Sequence, residues 1–432
     1  MDYKNAPLSK IHKYVFLCFI LGQIACGYAL GIAGTAVTAA IEPLKLNSFW
    51  VGLLGAGTLI GLMGSIVIGN IADKAGRKLL FYVDMILFTG ISLLQFVVTE
   101  PGLLLVLRIG LGITIAIDYT VGSALLTEWF PRKQSARFQS LLIIFWTIGF
   151  VASYFVGISI NGSGDSTWKY IFISSAIPGL VTAVVRLIVR VPESPSWLAA
   201  VGRKEEADCL VKQYLSKEYI VMNVVKAEEV EKVSWTELFD KKNRRNTMVG
   251  GLFYACQVFP YFGVSIFIPI LVENMNMTNP NASGAIYNIF VGIGAVAGVI
   301  LFDRISRRAF LISTFYISAI AALGIVLGQH APMAFTMVCF SVFAIGMSIS
   351  VVAENPYPPE LFDTRLRASG VGAVIAMSRI GAALGTFLLP IIVDKAGVYV
   401  TLIVCMAILL VGGIVCQFYA PETSLKYRAD GK

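Results

Sequence analysis

Apolar residues are arranged along this chain in long runs that short polar segments separate. A helix needs about 20 apolar residues to cross the hydrocarbon core of a bilayer, and runs of that length recur through the whole sequence. We predict twelve membrane-spanning helices, called spans one to twelve, at about residues 14–38, 50–71, 79–99, 102–127, 138–160, 170–190, 247–272, 283–302, 309–328, 333–353, 369–393 and 398–419. This pattern predicts an all-α membrane protein.

The longest polar stretch lies between spans six and seven, over residues 191–245. Its "KAEEVEKVSWTELFDKKNRR" segment is rich in charge and is typical of short amphipathic helices. We expect this linker to join two units of six helices, residues 1–190 and 246–432. The first span follows "MDYKNAPLSKIHK" without a small-residue cleavage site, so we expect a retained helix rather than a signal peptide.

The distribution of basic residues predicts the orientation. If both termini are cytoplasmic, 28 of the 34 Lys and Arg residues lie in inner segments, whereas Lys45, Lys169 and Lys395 lie outside and three arginines lie within spans. Positive charge accumulates in the cytoplasmic loops of membrane proteins. We therefore expect a multi-pass protein of the plasma membrane with both termini cytoplasmic. The net charge of +8 then reflects topology rather than binding of nucleic acid.

Several kinds of chemistry are poorly supported by the sequence. The two histidines, His12 and His330, are far apart, the seven cysteines have no CxxC spacing, and no Walker-type G-x-x-x-x-G-K-[ST] sequence occurs. We therefore expect no metal, no cofactor and no ATP-driven step. A membrane enzyme would need acids or histidines clustered near a membrane surface, and the acids here occupy positions suited to a gate instead, so we do not expect an enzyme.

The two halves of the chain repeat short polar sequences at nearly one distance. The pairs are "GNIADKAGRK" at 69–78 with "VILFDRISRR" at 299–308, "EWFPRKQSAR" at 128–137 with "ELFDTRLR" at 360–367, and "VPESPSWL" at 191–198 with "APETSLKY" at 420–427. Asp73 and Asp303 are 230 residues apart, as are Arg137 and Arg367. A duplicated six-span unit is typical of alternating-access carriers, whose binding site lies between the halves.

The loop between spans two and three resembles the motif G-x-x-x-D-[RK]-x-G-R-[RK] of the major facilitator superfamily. The matching residues are Gly69, Asp73, Lys74, Gly76, Arg77 and Lys78. Further segments are similar to the sugar-porter branch of that superfamily, namely Arg108 with Gly110 and Gly112, Glu128 with Arg137, "PESPSW", Glu360 with Arg367, and "PET". Many relatives carry an aspartate in span one where this chain has Ala29.

This resemblance implies twelve transmembrane helices in two pseudo-symmetric six-helix bundles. It also implies that opposite charges at the inner ends of the helices latch a cytoplasmic gate in the outward-open state. Individually weak exposed pairs suit a latch that must open and close. The gate residues expected from the resemblance are Gly69, Asp73, Arg77, Glu128, Arg137, Asp303, Arg307, Glu360 and Arg367.

Asp118 interrupts span four, with nine residues on each side that include no Asp, Glu, Lys or Arg. A carboxylate near mid-membrane costs on the order of 3 kcal/mol, so it should face a cavity or a charged partner. We predict that Asp118 carries the coupled proton or contacts the substrate. The alternative is a packing ion pair, for which Arg108 is too distant along the helix, at roughly 15 Å, while Arg379 stays open.

Glu354 is the second acid that we expect to take part in proton coupling. It lies at the inner end of span ten in "AENPYPPELF", where prolines interrupt the helix and free carbonyl groups to line a cavity. The neighbouring Asn355 shares whichever environment Glu354 has. The alternative is a residue at the membrane interface that is simply solvated.

Polar and aromatic residues within the spans are the candidates for substrate binding. Tyr254, Gln257 and Tyr261 follow i, i+3, i+7 spacing and therefore share one face of span seven, where Pro260 can open the helix. Tyr119 is added because its "IDY" sequence is similar to the G-D-Y of phosphate:proton symporters, and Arg379 because it can contact an anion. Weaker candidates are Gln23, Tyr28, Trp146 and Asn288.

These observations predict a secondary active transporter that moves a small polar organic solute by alternating access. A sugar, a polyol or a small organic acid would fit, and protons are the expected coupled ion. The other expected partner is the lipid bilayer, and the expected assembly is a monomer. The alternatives are an uncoupled facilitator, a drug or metabolite exporter of the same fold, and a non-transporting membrane receptor.

Overall fold

The structure is a computed structural model. It describes residues 1–160, 164–222, 235–241, 243–275, 277–302, 304–354, 356–362, 366–424 and 427. For residues 66, 70, 133, 136, 137, 367 and 368 it describes only the backbone.

The described part of the chain is helical and contains no strand beyond an isolated bridge between Asp2 and Ile220. The helices are Tyr3–Asn5, Lys10–Ala40, Ser48–Leu62, Ser65–Ala75, Arg77–Leu94, Pro101–Ile117, Asp118–Gly122, Ser123–Trp129, Arg132–Ile160, Thr167–Ile173, Ala176–Val189, Pro195–Ala200, Lys204–Tyr214, Trp235–Phe239, Arg244–Ile266, Ile268–Asn274, Pro280–Phe302, Arg307–Leu327, Met333–Val351, Val352–Glu354, Tyr357–Glu360, Arg367–Ala396 and Val398–Tyr419.

Eleven helical segments of this part are long and apolar enough to cross a membrane, and each lies at a predicted span. The remaining prediction, span three, corresponds to the helix Arg77–Leu94, which carries Arg77, Lys78 and Asp84 among its 18 residues. These charged residues lower the mean hydropathy of the helix. Asp84 is nevertheless fully buried within the protein, so it is not exposed to lipid. The predicted arrangement of spans is confirmed.

Two spans are irregular at places that the sequence did not identify. Span four passes through a π-helical segment, Asp118–Gly122, which is wider than an α-helical turn. In span seven the helix Arg244–Ile266 continues through Pro260 and ends only at Phe267, just before Pro269. The expectation that Pro260 opens this helix was wrong.

Glycines allow the same pairs of helices to approach closely in both bundles. A Cβ atom at Gly27 or Gly149 would overlap a backbone carbonyl between spans one and five, and one at Gly385 would do so between spans seven and eleven. Spans two and four meet in the same way at Gly112. Their counterparts six spans later, spans eight and ten, meet at Gly294. This repeated packing gives the two bundles their pseudo-symmetry.

The bundles touch each other at one end. We call this the distal end, because it is the end away from the linker helices Pro195–Ala200 and Lys204–Tyr214. Here a Cβ atom at Gly34 of span one would overlap the carbonyl oxygen of Ile266, and the Tyr154 hydroxyl donates to the carbonyl of Asn281 at 3.2 Å. Backbone-to-backbone contact of this kind leaves no room for water between the bundles.

The opposite end, the linker end, is packed differently. One large apolar core includes residues of both bundles and extends in the second bundle to Phe302 and Phe310 near the linker end. The linker end of the first bundle has a separate core that includes Val15, Phe19 and Trp129. Tyr3 fixes the linker helices to that end, since its hydroxyl donates to the Glu128 carbonyl at 2.7 Å and lies 2.5 Å from Ser196 Oγ. The observed contacts between Gly34 and Ile266 and between Tyr154 and Asn281 therefore close the distal end.

We expect Gly34→Leu to keep the distal end from closing, because the new side chain must displace the Ile266 carbonyl. Thr38 lines a depression at the distal end. A Thr38→Cys reporter is introduced in a Cys209→Ser background, which removes the exposed native cysteine. The measurement is labelling of this reporter by a membrane-impermeant maleimide. Labelling should rise several-fold. Gly90→Leu is the matched control, since a Cβ atom at Gly90 meets nothing within 4 Å. Unchanged labelling of the Gly34 variant would contradict the proposed contact.

Candidate functional site

A cavity of about 370 Å³ lies between the two bundles. Its walls include Gln23, Tyr119 and Trp146 from the first bundle and Tyr254, Tyr261, Glu354 and Arg379 from the second. A larger depression of about 750 Å³ lies at the distal end and is lined by helix ends and loops. We take the smaller cavity as the candidate site, because both bundles contribute polar side chains that point toward one space.

The structure places most, but not all, of the predicted substrate residues at this cavity. Gln257 is buried behind the wall, next to Glu354. Tyr28 lies within the first bundle, where its hydroxyl is 2.8 Å from Ser174 Oγ, and Asn288 donates to the Gly284 carbonyl at 2.9 Å. Neither belongs to the residues that line the cavity. Asn355 is outside the described residues.

Four polar lining residues were missed from the sequence, namely Ser65, Thr120, Ser123 and Gln139. Small hydroxyl residues and single amides are common in helix packing, so their types alone gave no signal. Thr120 and Ser123 follow Tyr119 around the π-helical segment and its continuation, so this irregular part of span four forms a wall of the cavity.

Buried polar atoms without a protein partner converge on the second-bundle side of the cavity. Among the described residues, they include Glu354 Oε1, the Tyr261 hydroxyl, Arg379 Nε and both amide atoms of Gln257. Buried polar groups are normally hydrogen-bonded, and each unsatisfied one costs free energy. A cluster of such atoms beside a cavity indicates a place where water or a polar ligand supplies the missing hydrogen bonds.

Aromatic rings form the opposite wall. Trp146 Nε1 donates to the Tyr119 hydroxyl at 2.5 Å, and the Trp146 ring lies 6.2 Å from that of Phe262, edge to face. The guanidinium of Arg379 is 5.9 Å from the centre of the Tyr119 ring, within reach of a cation–π interaction. The cavity thus combines an apolar aromatic surface with polar groups.

Asp118 faces away from the cavity into the first bundle. Its carboxylate pairs with Arg186 of span six, and the same guanidinium contacts both oxygens of Asp84 at 2.9 and 3.1 Å. All three residues are fully buried. The partner of Asp118 is therefore Arg186, rather than either arginine considered from the sequence. We call these three residues the ion cluster.

The ion cluster connects four helices of the first bundle. Arg186 also donates to the carbonyls of Cys18 in span one and Phe81 in span three, and its guanidinium stacks 3.6 Å from the Phe81 ring. Gly22 leaves the space that the cluster needs, since a Cβ atom there would lie 2.7 Å from both Asp118 oxygens.

The ion cluster has two carboxylates and one guanidinium. With both acids ionised it carries one excess negative charge, and one proton makes it neutral, as burial in a low-dielectric region favours. Gln23 provides a link to the cavity, because it lines the cavity and its Nε2 atom donates to Asp118 Oδ2 at 3.4 Å.

Arg108 lies inside the first bundle rather than at its surface. It is fully buried, donates to the Ala29 carbonyl at 3.3 Å, and lies 5.2 Å from the Phe172 ring. Ala29 is the position at which many relatives have an aspartate, so in this chain the arginine meets a backbone carbonyl there.

The predicted gate residues form one arrangement twice. In the first bundle Arg77 pairs with Asp73 at 2.8 Å and with Glu128 at 3.3 Å. In the second, Arg307 pairs with Glu360 at 3.5 Å. Gly69 borders this region, and a Cβ atom there would reach only Thr120, at 3.9 Å. Asp303 is outside the described residues, as are the side chains of Arg137 and Arg367.

Two further acids complete the gate arrangement, Glu193 of "PESPSW" and Glu422 of "PET". Glu193 accepts hydrogen bonds from the backbone N–H groups of Arg77 and Lys78, and Glu422 accepts them from Arg307 and Arg308. Partial burial alone would raise the pKa of Glu422, but hydrogen bonds from these and the Ser424 N–H groups lower it overall. Each acid therefore caps the start of a helix.

Comparison with known proteins places the chain in one family over almost its full length. Residues 15–428 match the family described as sugar (and other) transporter. The chain is 31% identical over 420 residues to the inner membrane metabolite transport protein YgcS of Escherichia coli, covering 97% of this chain and 93% of that protein. It is 25% identical to the arabinose-proton symporter of Bacillus subtilis, covering 98% and 96%.

A solved structure has the same fold. The partially occluded inward-open xylose transporter XylE of E. coli superposes with a TM-score of 0.79 and 16% sequence identity, covering 96% of this chain and 99% of that one. At this identity the likeness shows the fold alone. The fold is that of the major facilitator superfamily, as the sequence predicted.

We expect Arg186→Gln to destabilise the protein strongly, by about 3–5 kcal/mol, because it leaves two adjacent buried carboxylates without a cation. Thermal unfolding in detergent measures the effect. The triple variant Asp84→Asn, Asp118→Asn, Arg186→Gln shares the substitution of the single variant but removes all three charges, so it should recover most of the loss. If the triple variant unfolds as early as the single one, the charge explanation is wrong.

Proposed function

This chain belongs to the sugar (and other) transporter family of the major facilitator superfamily and is a secondary active transporter, not an enzyme; on that premise we propose that it carries a small polar organic solute together with protons. One observation carries the proposal. A cavity lined by both bundles gathers unsatisfied buried polar groups, among them an acid, beside an aromatic wall.

Alternating access supplies the mechanism. The two bundles tilt about the cavity, so that the contacts at Gly34 and Asn281 hold the distal end closed while the linker end opens. We propose that the linker end is cytoplasmic, since the basic residues are concentrated there, and the present state is then inward-facing. The pairs of Arg77 and Arg307 form parts of the gate that closes this end in the other state.

Two acids are candidates for carrying the proton. Asp118 belongs to the ion cluster, which accepts one proton to become neutral, and Gln23 links it to the cavity. Glu354 borders the cavity itself. We propose that Asp118 carries the coupled proton, and that Glu354 takes part where the solute binds. Protonation of Asp118 would weaken its bond to Arg186 and loosen span four against span six.

We propose the plasma membrane as the location and a monomer as the working unit. The lipid bilayer surrounds both bundles in this proposal, and the YgcS relative is described as an inner membrane protein. An aliphatic groove between Ile148 of span five and Ile293 of span eight faces outward and suits acyl chains.

An uncoupled facilitator is the second candidate. The ion pair between Asp118 and Arg186 favours this candidate, because a buried carboxylate that is paired with an arginine can be purely structural. Export of a drug or metabolite and binding without transport stay as further alternatives. Measurements of solute uptake and export with and without a proton gradient distinguish these alternatives.

We expect an inwardly directed proton gradient to drive accumulation of the solute in proteoliposomes, tested with a radiolabelled panel of sugars, polyols and small organic acids. A proton ionophore should abolish accumulation. Asp118→Asn should also abolish it while exchange of solute across the membrane continues, and Asp394→Asn, an exposed acid at the distal end, is the control. Ionophore-insensitive uptake would identify a facilitator, and full accumulation by the Asp118 variant would refute its role.

We expect Cys209 to lie on the cytoplasmic side. It is an exposed cysteine in the linker helix Lys204–Tyr214, whereas Cys18, Cys26, Cys256, Cys405 and Cys416 are buried. A membrane-impermeant maleimide should label it in inside-out vesicles but not in intact cells, and Cys209→Ser should remove the signal. Labelling in intact cells would reverse the proposed orientation.

A further inference from the structure

The central cavity has an unusual balance of charge. Among the described residues that line it, Arg379 and Glu354 are the two with a formal charge, and both come from the second bundle. They do not form an ion pair, since no carboxylate of the described residues lies within 4.0 Å of the Arg379 guanidinium nitrogens. The cavity therefore presents a cation whose charge is not directly neutralised.

Other buried arginines of this chain contact partners within the first bundle and do not line the cavity. Arg186 has two carboxylates, and Arg77 has two as well. Arg108 has no carboxylate, but it donates to a carbonyl, lies near a ring and is not part of the cavity wall. Arg379 differs from Arg77, Arg108 and Arg186 because it lines the cavity. Its Nε atom is buried without a hydrogen-bond partner, and no ion pair joins it to a carboxylate among the described residues.

A guanidinium in the wall of a cavity favours an anion, and its planar fork matches a carboxylate with two parallel hydrogen bonds. We propose that the transported solute is a small organic acid with a single carboxylate, that Arg379 binds this carboxylate, and that Glu354 holds a proton when the acid is bound. This inference rests on the proposed transport function and specifies its substrate class.

Charge balance explains the role of Glu354. A solute carboxylate and an ionised Glu354 beside one guanidinium would leave an excess negative charge in the cavity, whereas a protonated Glu354 leaves the site neutral. The groups around Glu354 are Tyr254, Gln257 and Tyr261 of span seven and Arg379 of span eleven. None of the three from span seven supplies a positive charge, so Arg379 is the cation for which the two carboxylates compete.

The remainder of the solute would face the first bundle. Tyr119 and Trp146 offer a flat aromatic surface there, and Gln23 and Gln139 offer amides. The carboxylate end would be bound by the second bundle and the other end by the first. A solute that bridges the bundles in this way favours the state in which they close around it. A neutral solute of the same shape would leave Arg379 without an anion and should bind less well.

The test measures binding to the purified full-length protein by thermal stabilisation. The probes are two matched pairs, D-glucuronate with D-glucose and benzoate with benzamide, in which one member carries the carboxylate. We expect at least one acid to stabilise the protein and its neutral partner to have little effect. Arg379→Gln should weaken binding of that acid about thirtyfold or more, as expected for loss of a desolvated charge pair. Lys395→Gln, an exposed cation on the same helix, should change nothing.

A second measurement tests the proton on Glu354. Affinity of the wild type for the acid should fall about tenfold per pH unit at alkaline pH, because one proton accompanies the solute. Glu354→Gln imitates the protonated side chain, so it should keep the affinity and remove this dependence. Size-exclusion chromatography identifies a variant that no longer folds. If Arg379→Gln does not fold, Arg379→Lys is used instead, and we expect it to bind the acid weakly but measurably.

Three results would overturn the inference. They are stabilisation by the neutral probes alone, binding of the acid to Arg379→Gln at wild-type strength, and failure of both acids in a preparation that accumulates a neutral solute in response to a proton gradient. In the last case the proposed transport function would stand and the substrate class would be wrong. Absence of transport for every solute would contradict the proposed function instead.

Discussion

The guanidinium of Arg186, buried between the carboxylates of Asp84 and Asp118, is the interaction on which the first bundle depends. Removing the guanidinium would leave two adjacent carboxylates without a cation where water is scarce. Because Arg186 also bonds to carbonyls of spans one and three, the cluster fixes four helices relative to one another. A bundle held in this way moves as one body. The motion that transport requires is then expected between the bundles, which meet at the distal end through the contact of Gly34 with the Ile266 carbonyl.

The second bundle has the same helix pairing without an equivalent cluster. The positions 230 residues after Asp84, Asp118 and Arg186 are Thr314, Ser348 and Cys416, all uncharged. The charged residues of the second bundle that lie at mid-depth border the cavity instead. Charged residues at mid-depth therefore have different roles in the two halves. In the first bundle they bind one another, and in the second bundle Glu354 and Arg379 border the cavity.

The sequence predicted what depends on local pattern. Apolar runs located the spans, and repeated motifs located the pairs of Arg77 and Arg307 with their acids. It could not identify the partner of Asp118, because Arg186 is 68 residues away and only the packing of spans four and six brings them together. Tyr28 and Tyr119 look alike in sequence as aromatic residues within spans, yet one packs inside a bundle and the other borders the cavity. Which face of a helix points inward is a property of the assembled bundle.

The π-helical segment of span four has a consequence for comparing this chain with its relatives. A π-helical turn holds one residue more than an α-helical turn, so it arises when a single residue is inserted into a regular helix without unwinding it. Relatives that lack the bulge should therefore need a one-residue gap between positions 118 and 122. An ungapped alignment would shift every later residue of this span by about 100° around the helix axis, and it would assign the cavity-lining Ser123 to the wrong column.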